Sequence, residues 1–337
     1  MGVAELTPSD ASAPVRKERS LWAESFYRLR KNRVALASLI FIVILTLAAI
    51  LADFITPFTY EDTDLVNSNA VQEWMLFMLP ENAENYATFS DKFPLGADHL
   101  GRDLFSRSIY GARVSLQVAF VAATVSLIIG TVYGMVSGYL GGTVDNVMMR
   151  IVDFLYGFPF LIVVILLQAY FKALARQAGQ GEGFAGAIIN LNNSMGGMFF
   201  LFIAIGLINW LALARIARGQ VLSLKRKEFV EAAHAMGASD TRIIFRHLLP
   251  NILGPLIVAE TLAIPGYIFL EAFLSFIGLG VNPPTPSWGI MISEAAQGIR
   301  TYPNQLLVPA VFLSITTLAF NFLGDGLRDA FDPKLKQ

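Results

Sequence analysis

Long apolar runs alternate with short charged stretches along this chain, and their lengths predict helices that cross a membrane. Residues 34–52 form the first run, long enough to span. A second span covers 115–140, and a third lies within 145–170 with Pro159 inside it. The fourth covers 198–217, the fifth 252–279 and the sixth 306–322. Between the first two runs lies the longest polar stretch, residues 53–110, rich in Asp and Glu. Its apolar island, 74–79, is too short to span. Residues 171–197, rich in Gly and Asn, read as a loop. Pro283, Pro284 and Pro286 stiffen a further loop over 281–303, where Trp288 can anchor at the interface.

Periodicity within these runs predicts specific contacts. Ser126, Gly130, Gly134 and Gly138 recur every four residues and place a strip without bulky side chains on one face, where another helix can approach closely. Arg150 and Asp153, three apart, can pair. Pro265-Gly266 in the fifth run should kink or break that helix. Glu260 and Glu271 lie eleven residues apart, about three turns, and so point the same way. Glu260 reads as sitting near the membrane surface beside a basic partner. Glu271, with Pro265 and Gly266 before it, reads as lining a hydrated path, because an ionised carboxylate in hydrocarbon costs on the order of 3 kcal/mol.

Two amphipathic stretches flank the first span. Trp22, Phe26 and Leu29 share a face beside Arg28, Arg30, Lys31 and Arg33, which suits either an interfacial helix or a plain linker. Leu104, Phe105, Ile109 and Ala112 share a face opposite Arg102 and Arg107, which suits a second interfacial helix or a loop helix. Residues 1–19 are Ala/Ser/Pro-rich and read as disordered.

The most charged helix-forming stretch, 228–251, reads as two short helices with a joint. Phe229, Ala232, Ala233 and Met236 share one helical face, and Glu228 and Glu231 flank it with charge. Gly237 sits where a helix C-cap wants positive φ, so a bulky residue there would be strained and would crowd the joint. Ser239 or Asp240 caps a second helix carrying Ile244 and Leu248, and Pro250 ends it. The segment is either a hook that lays its apolar face in a partner's groove or an ordinary connector.

Charge orients the chain. Six spans put both termini on one side, and eighteen of the 25 Lys and Arg then fall on the side of the hook. The positive-inside rule makes that side cytoplasmic. Only 15% of residues are charged and 55% are hydrophobic, against about 25% charged in a soluble domain. A net charge of −1 suggests no nucleic-acid partner. There is no cysteine, and His99, His234 and His247 are scattered without metal-ligand spacing, so no metal site, cofactor site or catalytic residue is expected. No lysine follows a glycine, which excludes a P-loop; any ATP that drives the chain is bound by another polypeptide.

Glu231-Ala232-Ala233, Gly237 and Leu249-Pro250 together resemble the EAA loop of permease subunits in bacterial ABC importers. Arg246-His247-Leu248-Leu249-Pro250-Asn251 is similar to the peptide-permease branch, as are 96–116 and the LSFIGLGVNPPTPSWG string from 274. The resemblance implies the C-type permease subunit of a dipeptide or oligopeptide importer. It implies an all-α integral membrane fold of the type I ABC importer permease kind, with six transmembrane helices and a cytoplasmic helix–Gly–helix coupling loop. The chain then divides into a tail with an interfacial helix (1–33), a first span (34–52), an external segment (53–112), a five-helix core (113–328) carrying the coupling loop (218–251), and a tail (329–337). Implied partners are a homologous second permease, two ATPases that hold ATP and magnesium, and an external binding protein. In that family the coupling loop docks the ATPase. Relatives of the branch also carry nickel, opines or sugars. A secondary transporter would explain a broken fifth span and Glu271, but no internal repeat is evident.

Overall fold

The computed structural model describes residues 21–177 and 183–331. The expected disorder of 1–19 and the last residues of the C-terminal tail lie outside them. The described residues are helical, without a regular strand. Five helices are long and apolar enough to cross a membrane, and a bent pair supplies a sixth crossing.

Helix α1 (Leu21–Lys31) precedes α2 (Arg33–Ile50), the first span, whose start is capped by the Asn32 side chain. A single turn, α3 (Ala52–Ile55), leads into the polar stretch. That stretch folds as an irregular cap of 3-10 turns, one of them Glu73–Met78 over the apolar island. Its small core is built on Ala70, Phe93 and Ala97. Met75 reaches out of it to pack with Leu104, Met291 and Val308.

The interfacial helix expected before the second span does not exist as a separate element. One helix, α4, runs from Leu104 to Leu140. Asp103 caps its start, accepting from the Ser106 amide at 2.8 Å, and no proline interrupts it before Gly141 at φ +68°. Its 37 residues extend about 55 Å, against about 30 Å of hydrocarbon, so a good part of it stands outside the membrane. Arg102 and Arg107, which the spacing set opposite the apolar face, are themselves buried. Arg102 bonds Asp98 at 2.6 Å and Glu294 at 2.9 Å. Arg107 bonds Asp98, and Glu294 at 2.9 Å. The cap is thereby locked to the bundle by charge at the end where α4 begins.

Helices α5 (Gly142–Tyr156) and α6 (Phe160–Gln177) form the third crossing, bent by 78° at 157–159. Pro159 explains the bend, since it has no N–H and disfavours helix at Phe158. Asp153 pairs with Arg215 at 2.6 Å rather than with Arg150, because the neighbouring helix brings a guanidinium closer than the next turn does. Part of the expected loop at 171–197 is helical: α6 extends to Gln177, and α7 spans Gly183–Ser194. Next come α8 (Met198–Leu224), α9 (Glu228–Ala235) and the short α10 (Asp240–Arg242). Then α11 covers Leu249–Phe276, α12 Trp288–Ala296 and α13 Pro303–Phe331.

The closest helix pair is α4 with α8. A Cβ on Gly134 would stand 2.3 Å from the Ala214 carbonyl oxygen, and one on Gly130 would stand 2.8 Å from Leu213 Cβ. Gly138 similarly faces Arg218 and Val221. Ser126 faces a different helix, α11. Helix α11 packs on α4 and α13, and α2 on α13. Both described chain ends lie at the hook end: Gly326 of α13 faces Ala35, and Phe331 faces Gly254 near the start of α11.

The break expected at Pro265-Gly266 is absent; α11 is helical through Pro255 and Pro265. Polar bonds to α4 flank Pro265 on both sides. Ser115 Oγ donates to Glu271 at 2.7 Å, and Ser126 Oγ donates to Glu260 at 3.2 Å. These two anchor points hold α11 against α4 on either side of the missing N–H.

Candidate coupling site and the polar contacts behind it

The hook begins at Lys227, where extended backbone starts α9. Glu228 and Glu231 occupy its first turn and complement the helix dipole. Val230 and Ala233 turn inward, each about 1% exposed, onto Ile243, Leu248 and Ile252. Ala233 therefore leaves the face on which its spacing placed it. The outward face holds Phe229, Ala232 and Met236, and Met236 is 80% exposed.

Gly237 closes α9 with φ +77°. A Cβ there would meet nothing within 4 Å, so the expected crowding of the joint is absent and only the backbone requires glycine. Ser239 caps α10, its hydroxyl accepting from the Arg242 amide. A π-helical turn, Ile243–Leu248, then feeds α11 without a stop. Pro250 does not end the helix: it is the second residue of α11, directly after the π turn. Asp240 to Phe276 is thus one continuous apolar span with the hook at its base. Tyr139 at the end of α4 donates to Asp240 at 2.6 Å and pins the hook to the bundle. Leu249 is half-buried and Pro250 exposed.

Behind the hook, Asp145 takes a bidentate contact from Arg218, at 2.5 and 2.6 Å. Lys225 donates to the Gly138 carbonyl at 2.8 Å, satisfying an open carbonyl at the end of α4. These bonds tie α4, α5 and α8 together where the hook emerges.

Residues 130–337, more than half of the chain, match the family described as the binding-protein-dependent transport system inner membrane component. The chain belongs to this family. Residues 20–71 match the N-terminal TM domain of oligopeptide transport permease C. The oligopeptide transport system permease protein OppC of Haemophilus influenzae is 43% identical over 316 residues, 94% of this chain and 89% of that protein. The dipeptide transport system permease protein DppC of Bacillus subtilis is 40% identical over 329 residues, 97% of this chain and 90% of that protein. Among solved structures, the inward-facing MetNI methionine ABC transporter overlaps 67% of this chain and 97% of its own, at 20% identity and a TM-score of 0.49.

In this permease Glu271 faces α4 within the bundle. It is fully enclosed, accepting from Ser115 and from Ser275, both at 2.7 Å. Serine hydroxyls meet the cost that pointed to a path. Glu260 lies eleven residues into α11, not at its start, and has Tyr267 at 2.7 Å rather than a basic partner. The two serine partners are themselves eleven residues apart on α4, so two matched rungs join the antiparallel helices. Gly266 has open space around its Cβ position, and Pro265 is buried. An apolar cleft of 530 Å³ lies instead at the bend of the third crossing, walled by Tyr156, Phe158, Phe160, Leu207 and Leu211.

Sequence reasoning passed over several of these residues. Val230 was hidden one place from the apolar face it undercuts. Asp98 lies only four residues from Arg102 and nine from Arg107, a spacing that was overlooked, whereas Glu294 gives no local signal because it lies almost two hundred residues from both arginines. Ser115 had one usable signal, the same eleven-residue interval as the two glutamates.

Proposed function

We propose that the chain is the permease subunit of an ATP-driven importer that takes short peptides from an external binding protein into the cytoplasm by alternating access. A homologous second permease completes the pathway, and two ATPase subunits, which hold ATP and magnesium, dock on the Glu228–Pro250 hooks. Relatives named for oligopeptide and dipeptide transport support the substrate class. The observation that carries the coupling role is the shape of the hook. Its inner face is locked by Val230 and Ala233, its outer face offers Phe229, Ala232 and Met236, and its base continues into a span of the full bundle. A push on the hook is therefore delivered to α11 as a rigid body. Glu228 and Glu231 supply charged contacts at the edge of that face, with Leu249 and Pro250 at its root. The unbroken α11 removes the feature that favoured a secondary transporter.

The excess of Lys and Arg at the hook end supports a cytoplasmic hook and cytoplasmic termini. Met236→Cys introduces a single thiol at an exposed position of a cysteine-free chain. With the chain expressed without its ATPase subunits, so that the outer face is uncovered, a membrane-impermeant maleimide should label it only in inside-out vesicles. Labelling in intact cells would reverse the topology.

Docking is tested by Met236→Glu and Gly237→Val. Met236→Glu places a charge on the outer face at no cost to the fold. Gly237→Val forces a branched residue to positive φ, at about 1–3 kcal/mol. Both variants should insert normally yet lose ATPase subunits on purification, or hydrolyse ATP with uptake reduced at least tenfold. A Met236→Glu variant that keeps its ATPases and imports normally would reduce the hook to a connector.

A further inference from the structure

A polar pocket of 290 Å³ lies at the end of the bundle away from the hook, among α6, α7, the start of α8 and the loop after α11. Its walls are Gln168, Lys172, Asn192, Asn193, Asn282 and Phe200. Gln168 is fully buried, and neither its amide nitrogen nor its amide oxygen has a hydrogen-bond partner. Among the described residues only Asn304, in α13, shares this condition of a buried carboxamide with both functions unused, and Asn304 does not line this pocket.

The rest of the pocket is built firmly. Asn192 is buried and accepts from the Phe200 amide at 3.1 Å. The Phe200 ring stacks on Phe171 at 4.6 Å between centroids and gives an aromatic wall. The Asn282 amide donates to the Gly196 carbonyl at 2.8 Å and fixes the loop to the turn before α8. Lys172 donates to the Gly278 carbonyl at 3.1 Å, which holds its positive charge at the rim.

We propose that this pocket binds the main chain of a short peptide, and that Gln168 is the group that reads one of its amides. A carboxamide donates through N–H and accepts through C=O, the complement of a peptide unit, which offers the same two functions in reverse. The flanking asparagines repeat that chemistry without selecting a side chain. A divalent cation does not fit: no carboxylate is among the described wall residues, and Lys172 repels positive charge. A peptide's terminal carboxylate is accommodated by that same lysine. The pocket lies on the side from which substrate would arrive in the orientation proposed above, and the choice of ligand rests on that importer reading.

The test is equilibrium dialysis of radiolabelled trialanine against the full chain purified in detergent. Trialanine should bind the unaltered chain, and Gln168→Leu should weaken it at least tenfold. Leucine removes two unpartnered polar atoms, so the thermal unfolding temperature should hold or rise. Asn193→Ala, an exposed change that leaves the fold alone, should weaken binding several-fold. Equal affinity in the unaltered chain and both variants, or no trialanine binding to the unaltered chain, would overturn the assignment. Uptake by the complete transporter in cells separates the two readings. Normal uptake in Gln168→Leu overturns the pocket and leaves the importer standing. No uptake of peptides by the unaltered transporter overturns the importer, while the dialysis still decides the pocket.

Discussion

Gly134→Leu is expected to abolish the folded permease. Even the first added carbon would stand 2.3 Å from the Ala214 carbonyl oxygen and 2.6 Å from Ala217 Cβ, with the Arg218 amide at 2.9 Å. Backbone atoms of α8 cannot yield as a flexible side chain can. The helices must part, which opens voids along the most extensive helix contact in the structure. Overpacking typically costs about 1–3 kcal/mol and occasionally more, and a clash with backbone on both sides belongs at the upper end. The readout is the yield of monodisperse full chain after detergent extraction, with its thermal unfolding temperature. Gly219→Ala is the matched comparison, since a Cβ there meets nothing within 4 Å. It should hold or raise stability, because alanine is the better helix former by about 1 kcal/mol. A Gly134→Leu chain as stable and abundant as Gly219→Ala would show that α4 and α8 do not pack as described.

Asp98→Ala should be nearly as damaging. Asp98 binds Arg102 and Arg107, which are only 6% and 1% exposed. Without it two buried guanidinium groups share Glu294 alone. Breaking a buried pair from one side costs about 3–5 kcal/mol. The effect should also depend on pH. Burial on its own would raise the Asp98 carboxyl, but Arg107 and then Arg102 outweigh it and hold the group below its ordinary value. A folded-state value below the unfolded one, near 3.9, means the contribution is full above about pH 4. It is lost as pH falls through the lowered folded value. Asp103 runs the other way: burial raises it despite its bonds from Ser106 and the Phe105 amide, so it destabilises less once protonated. The gap between the unaltered chain and Asp98→Ala isolates Asp98. Thermal unfolding should show that gap wide at pH 7 and narrowed in acid. A gap that stays constant down to pH 3 would mean the pair contributes nothing through its charge.

Hydrophobic run length located every crossing, because the bilayer thickness imposes a length that a single sequence displays directly. What the runs concealed was continuity. The interfacial stretch and second span are one helix because nothing between Asp103 and Gly141 interrupts the hydrogen-bond ladder. The hook's second helix and the fifth span are one because a π turn joins them directly before Leu249 and Pro250. The effect of proline was decided by tertiary context, which the sequence does not display. Pro159 bends the third crossing by 78°, whereas Pro265 lies between two anchor points and does not break its helix. The outline of the hook was legible in Gly237, which the backbone requires. Its depth was not, since a helix of eight residues shows two apolar faces and only packing decides which is inner. Glu294 was invisible as a partner of the buried arginines because ion pairing across the bundle leaves no periodicity.

The matched serine–glutamate rungs also constrain motion. They fix the sliding coordinate between α4 and α11 at two points about 16 Å apart. A slip of one helical turn, about 5.4 Å, would break both at once, and no intermediate displacement preserves either. The pair therefore behaves as a ladder with two fixed rungs: it can tilt or rotate as a unit, but one helix cannot be drawn past the other.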